Sequence, residues 1–175
     1  MALVAGLTAR VTATHTGTAP TNDLGTLTSA SQVLDYSKQV NLTSGTGAGQ
    51  VDRIFSDTRT ITASSTEDLD LAGVLTDSFG ATITFARVKA IMVTAASGNT
   101  NNVVVGAGTN PWLTMLNSTG TVTLRPGAGF MAWIGGSTDT TGWAVTAATG
   151  DILKVANSSS GSSVTYDIVI LGCSA

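Results

Sequence analysis

From about Ser64 to the C-terminus the sequence repeats one pattern. Short runs of β-branched and aromatic residues are broken by turn residues at intervals of roughly 8 to 12 positions, the rhythm of a sandwich or barrel. The runs are Glu67 to Leu71, Thr82 to Thr94, Asn102 to Val105, Thr121 to Leu124, Phe130 to Ile134, Trp143 to Thr146, Asp151 to Val155 and Val164 to Leu171. Between them, Ser97 to Asn102 offers Gly and Asn for positive φ, Arg125-Pro126-Gly127 is a Pro-Gly turn, Thr149-Gly150-Asp151 is a tight turn, and Ser158 to Ser163 is a Ser/Gly loop. No stretch of about 12 residues carries a 3.6-residue apolar period with a cap, so helix is scarce. The expected fold class is all-β, an antiparallel sandwich.

Two runs show their faces. In the last, Val164, Tyr166, Ile168 and Ile170 share one side, while the other opens with Thr165 and Asp167 and turns apolar at Val169 and Leu171; such a strand starts on a wettable sheet and ends covered. In Thr82 to Thr94 the apolar side switches midway, from Ile83 and Phe85 to Val88, Ala90 and Met92. That predicts a bulge or a strand shared between sheets.

The surface of such sheets is unusual here. Only 11% of the 175 residues are charged, where about 25% is ordinary, and Thr and Ser, roughly a quarter of the chain, take the place of charge. Thr packs well on a pleated surface and keeps it wettable through its hydroxyl. With 42% hydrophobic residues and a net charge of -3, disorder of the whole chain is excluded. The 20 Gly follow no three-residue period and no block repeats, which excludes collagen and solenoids.

Residues 1–50 read as an N-terminal arm or assembly segment, and residues 51–175 as the sandwich domain. The first fifty hold clusters of Thr, Gly and Ser such as Thr14 to Asn22, with plausible strands at Val33 to Val40 and Val51 to Phe55 joined by a Gly-rich hinge, Ser44 to Gly49. Strands of this kind need a sheet edge to pair with, in the same chain or in a neighbouring subunit. The eight Lys and Arg are scattered and make no basic stripe, so neither nucleic acid nor an anionic membrane is an expected partner. No run approaches about 18 apolar residues, and Met1 to Leu7 lacks the basic flank and apolar length of a secretory signal, which points to cytosol-like conditions. Cys173 has no second cysteine to pair with, leaving packing or assembly as the source of stability.

The inventory of reactive groups is thin. His15, the one histidine, lies in the Thr-rich arm and reads as a surface residue; only a trimer axis gathering three copies would give it a metal-binding role. No G-x-S-x-G elbow occurs. Gly127-Ala128-Gly129-Phe130-Met131-Ala132 matches a dinucleotide fingerprint formally, but Phe130 to Gly136 is too short and Gly-bounded to be the required helix, so the match reads as a hairpin turn. Asp52, Asp57, Glu67, Asp68, Asp70 and Asp77 crowd one stretch. Asp68 and Asp70 share a strand face, an arrangement open to glycoside hydrolysis or calcium binding. The simpler reading points Leu69 and Leu71 inward and leaves Asp68 and Asp70 on the outer face, balanced by Arg53 and Arg59. Sequons at Asn41, Asn117 and Asn157 are expected by chance in so Ser- and Thr-rich a chain. Trp133 and Trp143 flank one loop, Gly135 to Gly142, and read as a core pair stacked across a hairpin, with an aromatic sugar platform including Trp112 as the alternative. No catalytic, cofactor-binding or metal residue is assigned, and no small-molecule substrate is expected.

Six stretches carry a family resemblance: Asp57-Thr58-Arg59-Thr60, Asp68 to Gly73, Phe79 to Ala90, Gly98 to Gly106, Arg125-Pro126-Gly127 and Tyr166 to Gly172. From Val51 to the C-terminus the chain resembles small virion structural proteins of tailed bacteriophages, of the head decoration, cement or minor structural kind. The resemblance implies a jelly-roll-like sandwich that forms a homo-oligomer, a trimer above all, and clamps the major capsid protein. It implies a place in the virion, with assembly in the cytoplasm of the bacterial host, and no enzymatic activity. The alternative places the same fold in the tail or baseplate, where loops Ser97 to Asn102 and Gly135 to Gly142 touch a host glycan.

Overall fold

The computed structural model describes residues 2–17, 30–134 and 141–175. Thr18 to Asn22 and all of the 135–142 loop except Thr141 and Gly142 lie outside the described residues. The chain forms two compact units, one of Met1–Val4 with Leu42–Ala175, the other of Ala5–Asn41. Leu42 to Gly49, part of the segment read as an arm, thus belongs to the larger unit. The described residues contain strands and no helix, as the turn spacing requires.

The larger unit is built mainly of two antiparallel sheets. One runs in the order β10 (Trp143–Ala144), β6 (Arg87–Ala95), β12 (Val164–Cys173), β4 (Arg53–Ile61), with β9 (Gly129–Trp133) also paired to β6. The other runs β5 (Thr66–Asp70), β11 (Ile152–Asn157), β7 (Val103–Gly106), β8 (Thr121–Leu124). Each sheet therefore mixes strands from both ends of the unit. Alternation explains how they close on each other. On β12 the expected inward set, Val164, Tyr166, Ile168 and Ile170, is fully buried, and Leu171 and Cys173 at the covered end are buried too. The four inward residues meet Leu69, Val103, Val105, Leu124, Leu153 and Val155 of the second sheet in one core. Burial of each such side chain stabilises by about 1.5–3 kcal/mol before entropy is charged against it.

The turns behave as their residues dictate. Gly127, at φ 77°, takes the third place of a Pro-Gly turn in which Ala128 N–H donates to Arg125 carbonyl at 2.8 Å. The Ser44–Gly49 segment, expected as a hinge, is a tight loop: Gly47 N–H donates to Gln50 Oε1 at 2.9 Å, and Thr43 and Ser44 of β2 (Ala30–Ser44) pair in parallel with Gln50 and Val51 of β3 (Gln50–Val51).

The run Thr82 to Thr94 needs correction. β6 begins only at Arg87; before it, Ile83 and Phe85 lie beside the preceding turn, donating N–H to the Leu75 and Leu71 carbonyls at 2.8 and 2.9 Å. A register shift does occur, where Leu171 faces Ala90 and Gly172 faces Val88, so Lys89 is the extra residue. Beyond it the inward residues are Ile91, Val93 and Ala95, not Ala90 and Met92, and Met92 is exposed. The bulge was legible; its effect on parity was not, because Lys89 is buried.

One end of the sandwich is tied by asparagines. Asn99 mimics a strand segment, accepting from Thr165 N–H at 2.9 Å and donating to Thr165 carbonyl at 2.8 Å. Asn157, nearly fully buried, donates from Nδ2 toward the carbonyls of Ile61, Thr62 and Ser162 and accepts from Asn101 Nδ2 and Ser159 N–H. At the other end, Asp52 accepts from Ser174 N–H at 2.8 Å and from its hydroxyl at 2.6 Å. Cys173 is fully buried there, its thiol pushed up by burial, with Sγ directed at the Gln50 carbonyl.

Candidate assembly surface

The smaller unit is a two-stranded ribbon of β1 (Ala5–Gly17) and the adjoining part of β2. Its facing follows from two contacts. Arg10 makes a two-pronged ion pair with Asp35, Nε to Oδ1 at 3.0 Å and Nη2 to Oδ2 at 2.8 Å, and a side chain at Gly6 would meet the Asn41 amide oxygen at 3.5 Å. Even positions of β1 therefore share a face with odd positions of β2. That face is polar: Thr8, Arg10, Thr12 and Thr14 beside Ser31, Asp35, Ser37 and Gln39, with Val33 the one large apolar member. The opposite face carries Leu7, Ala9 and Val11 of β1 with Leu34, Tyr36 and Val40 of β2.

Val40 is buried, but Val11 is 57%, Leu34 48% and Tyr36 60% exposed. Ala5, Leu7 and Ala9 are half-buried, so the face is open mainly at Val11, Leu34 and Tyr36; a two-stranded ribbon is marginally stable alone in water, and exposed apolar residues on it favour a partner. The sequence reading missed β1 as a strand. The signal was a period of two, Ala5, Leu7, Ala9, Val11, Ala13 alternating with Thr and Arg, muted because three of its five apolar members are alanine. His15 continues that row and is exposed.

The acidic stretch divides. Leu69 and Leu71 point inward as expected. Asp70 turns back on the chain, accepting from Ala72 N–H at 2.8 Å, whereas Asp68 lines a cleft of about 370 Å³ with Asp57, Arg59 and Asp77. The two carboxylates are not brought together at that cleft. Nor do Arg53 and Arg59 balance them: Arg53 pairs with Asp52 at 3.2 Å, and Arg59 pairs with Glu67 at 2.9 Å and Asp57 at 2.8 Å. Among the described residues no three His, Cys, Asp or Glu are grouped so as to hold a metal ion.

Glu67, passed over in the sequence, is the residue that organises this region. It lies on the same side of β5 as Leu69, so its carboxylate enters the sandwich rim, accepting from Arg59 and from the hydroxyl of fully buried Tyr166. Burial pushes the Tyr166 phenol well above its ordinary value, and the bond to Glu67 pushes the same way; the guanidinium of Arg59, through its own bond to Glu67, is held more firmly protonated. A raised folded-state value contributes stability that is complete below about pH 10 and is lost as pH climbs, by up to about 1.4 kcal/mol per unit. Denaturant midpoints measured from about pH 9 to pH 11 should therefore fall for the natural chain more steeply than for Tyr166→Phe. Parallel slopes for the two would refute this.

The aromatic pairing also differs from expectation. Trp143 stacks edge-on against Trp112, with ring centres 6.3 Å apart and planes at 85°, rather than against Trp133. Trp112 is buried and its indole N–H donates to Ala144 carbonyl at 2.9 Å. Trp133 and Trp143 both pair with β6, opposite Ala90 and Val88, and both are half-buried, so they form no exposed sugar platform. A second groove, about 620 Å³, is lined by Leu3, Ile54, Phe79 and Ile83. Compared with known protein families, curated proteins and solved structures, the chain matches none.

Proposed function

We propose that this chain is a structural subunit of a tailed-bacteriophage particle, a decoration or cement protein that binds the major capsid protein as a homo-oligomer and stabilises the head. On this reading it joins the virion in the cytoplasm of the bacterial host and carries no enzymatic activity. The observation that carries the reading is the ribbon, an amphipathic pair of strands whose apolar face leaves Val11, Leu34 and Tyr36 exposed. A chain built this way is suited to hold other chains. The strand orders β4-β12-β6-β9 and β5-β11-β7-β8 support a jelly-roll arrangement, an architecture at home in capsids. The half-buried state of Trp133 and Trp143 favours this reading over the tail-receptor alternative, which calls for exposed aromatics.

The test uses empty heads assembled from the major capsid protein of a candidate phage. Added full-length protein should sediment with the heads and raise the temperature at which they rupture, and a chain lacking Ala5–Asn41 should do neither. Heads that neither bind the full-length protein nor gain heat resistance would exclude the reading.

A further inference from the structure

We infer that the free edge of β4 is a docking site for an extended segment of the protein this chain assembles on, taken up as an added strand with a basic side chain directed at the cleft of Asp57 and Asp68. This rests on the assembly reading above and adds the surface and the chemistry of the partner.

Hydrogen-bond parity shows which backbone groups are open. The Thr165 carbonyl accepts from Ala96 N–H at 3.0 Å and Thr165 N–H donates to Asn99, so odd-numbered residues of β12 turn their backbone toward β6. Even-numbered ones therefore turn toward β4, where they meet Arg53, Phe55, Asp57, Arg59 and Ile61. The N–H and carbonyl groups of Ile54, Ser56, Thr58 and Thr60 are left pointing outward. Among the described residues no backbone group bonds to them, and all four residues are exposed.

Length and lack of defence single β4 out. It has nine residues, against five in β5 and four in β8, the edges of the other sheet. Its register to β12 is unbroken and it contains neither Pro nor Lys, so it lacks the bulge, proline and lysine with which exposed edges commonly repel a further strand. A partner lying over Ile54 to Thr60 spans seven residues, about 24 Å.

Two grooves border this edge. The larger, about 620 Å³, has Ile54 and the exposed Phe79 as apolar walls; the cleft of about 370 Å³ runs past Phe55, Ser56 and Asp57 and is rimmed by Asp68 and Asp77. Strand addition uses such a layout, main-chain bonds supplying affinity and pockets for alternate side chains supplying selectivity. Charge then chooses the residue. Arg53 is engaged by Asp52, and Arg59 by Glu67 and Asp57, whereas Asp68 has no partner among the described residues and Asp77 accepts from Phe79 and Ala81 N–H through Oδ1 alone. A residue added opposite Asp57 points to the same side as Asp57, and a Lys or Arg there complements the cleft. Its two neighbours point to the side of Ile54, where apolar residues fit.

The probe is a capped peptide, Val-Thr-Val-Lys-Val-Thr-Val, whose central Lys falls opposite Asp57 whichever way the strand runs over Ile54 to Thr60. Titrated into the isotope-labelled full-length chain, it should slow hydrogen exchange at the Ser56, Thr58 and Thr60 amides, and its central-Glu counterpart should bind about tenfold or more weakly. Ser56→Pro removes one outward N–H and no bond to β12, a change an edge strand accepts, and should abolish binding. If Ser56→Pro misfolds, Asp68→Lys decides: it lies on β5, leaves β4 intact and should remove the preference for the Lys peptide. The inference is overturned if the Lys peptide leaves those amides unprotected, if the two peptides bind alike, if a folded Ser56→Pro binds undiminished, or if Asp68→Lys keeps the preference. Heads protected as well by Ser56→Pro as by the natural chain would sink this inference and leave the assembly reading standing; a chain that takes up the peptide at β4 but ignores heads would do the reverse.

Discussion

Replacing Asn157 by Leu should destabilise the protein by about 3–4 kcal/mol, a fall of roughly 10 °C in melting temperature. Leu fills a similar volume, so packing alone predicts little change. The loss comes from partners. The Asn157 side chain touches the carbonyls of Ile61, Thr62 and Ser162, the Asn101 amide and Ser159 N–H, which joins the end of β4 to the loop after β11. A buried polar group left unsatisfied costs about 1–3 kcal/mol, whereas a satisfied neutral bond contributes about 1 kcal/mol. The backbone N–H of residue 157, bonded to Ser65 carbonyl at 3.0 Å, is untouched by the change. Ser160→Ala, an exposed position in the same loop, should move the melting temperature by little. Thermal unfolding followed by far-ultraviolet circular dichroism measures both, and an Asn157→Leu protein within about 1 kcal/mol of the natural one would contradict this account.

Gly172→Val should cost about 3 kcal/mol or more. A Cβ at this position would stand 2.4 Å from the Arg87 carbonyl and 2.6 Å from the Phe85 ring, and neither can yield. The first is backbone at the bulge where Gly172 faces Val88; the second is a buried ring in the core. Gly172 also accepts from Asp52 N–H at 3.1 Å, so displacement there loosens the contacts of Asp52 with Ser174. Chemical denaturation reads the loss as a lower midpoint with an unchanged slope. Gly98→Val is the control, because a side chain at Gly98 meets open space.

How far the sequence reveals this molecule depends on which interactions decide each part. The strands at Glu67, Thr121, Phe130 and Val164 were legible because local alternation and turn residues act within a few positions. So was the inward set of the last strand. The start of β6 was not, because whether Thr82 to Ala86 joins a sheet depends on Leu71 and Leu75, which are distant in the alternation pattern yet adjacent in space. Trp143 chose Trp112 for the same reason. The candidate surface was half legible: Val33 to Val40 reads as a strand, while its partner was hidden by threonine and alanine, residues whose hydropathy contrast is weak. Glu67 was invisible as an organiser, since nothing local to an acidic strand residue foretells a buried tyrosine 99 positions away.

The strand that opens the sandwich and the one that ends the chain are neighbours, with Arg53 opposite Gly172 and Ile61 opposite Val164. Entry and exit of the larger unit thus sit at one pole, so cargo fused after Ala175 would leave from there. The exposed turn at Ser160 lies at the opposite pole, where an inserted epitope would be displayed away from the exit if it leaves the Asn101 and Asn157 bonds to the turn in place.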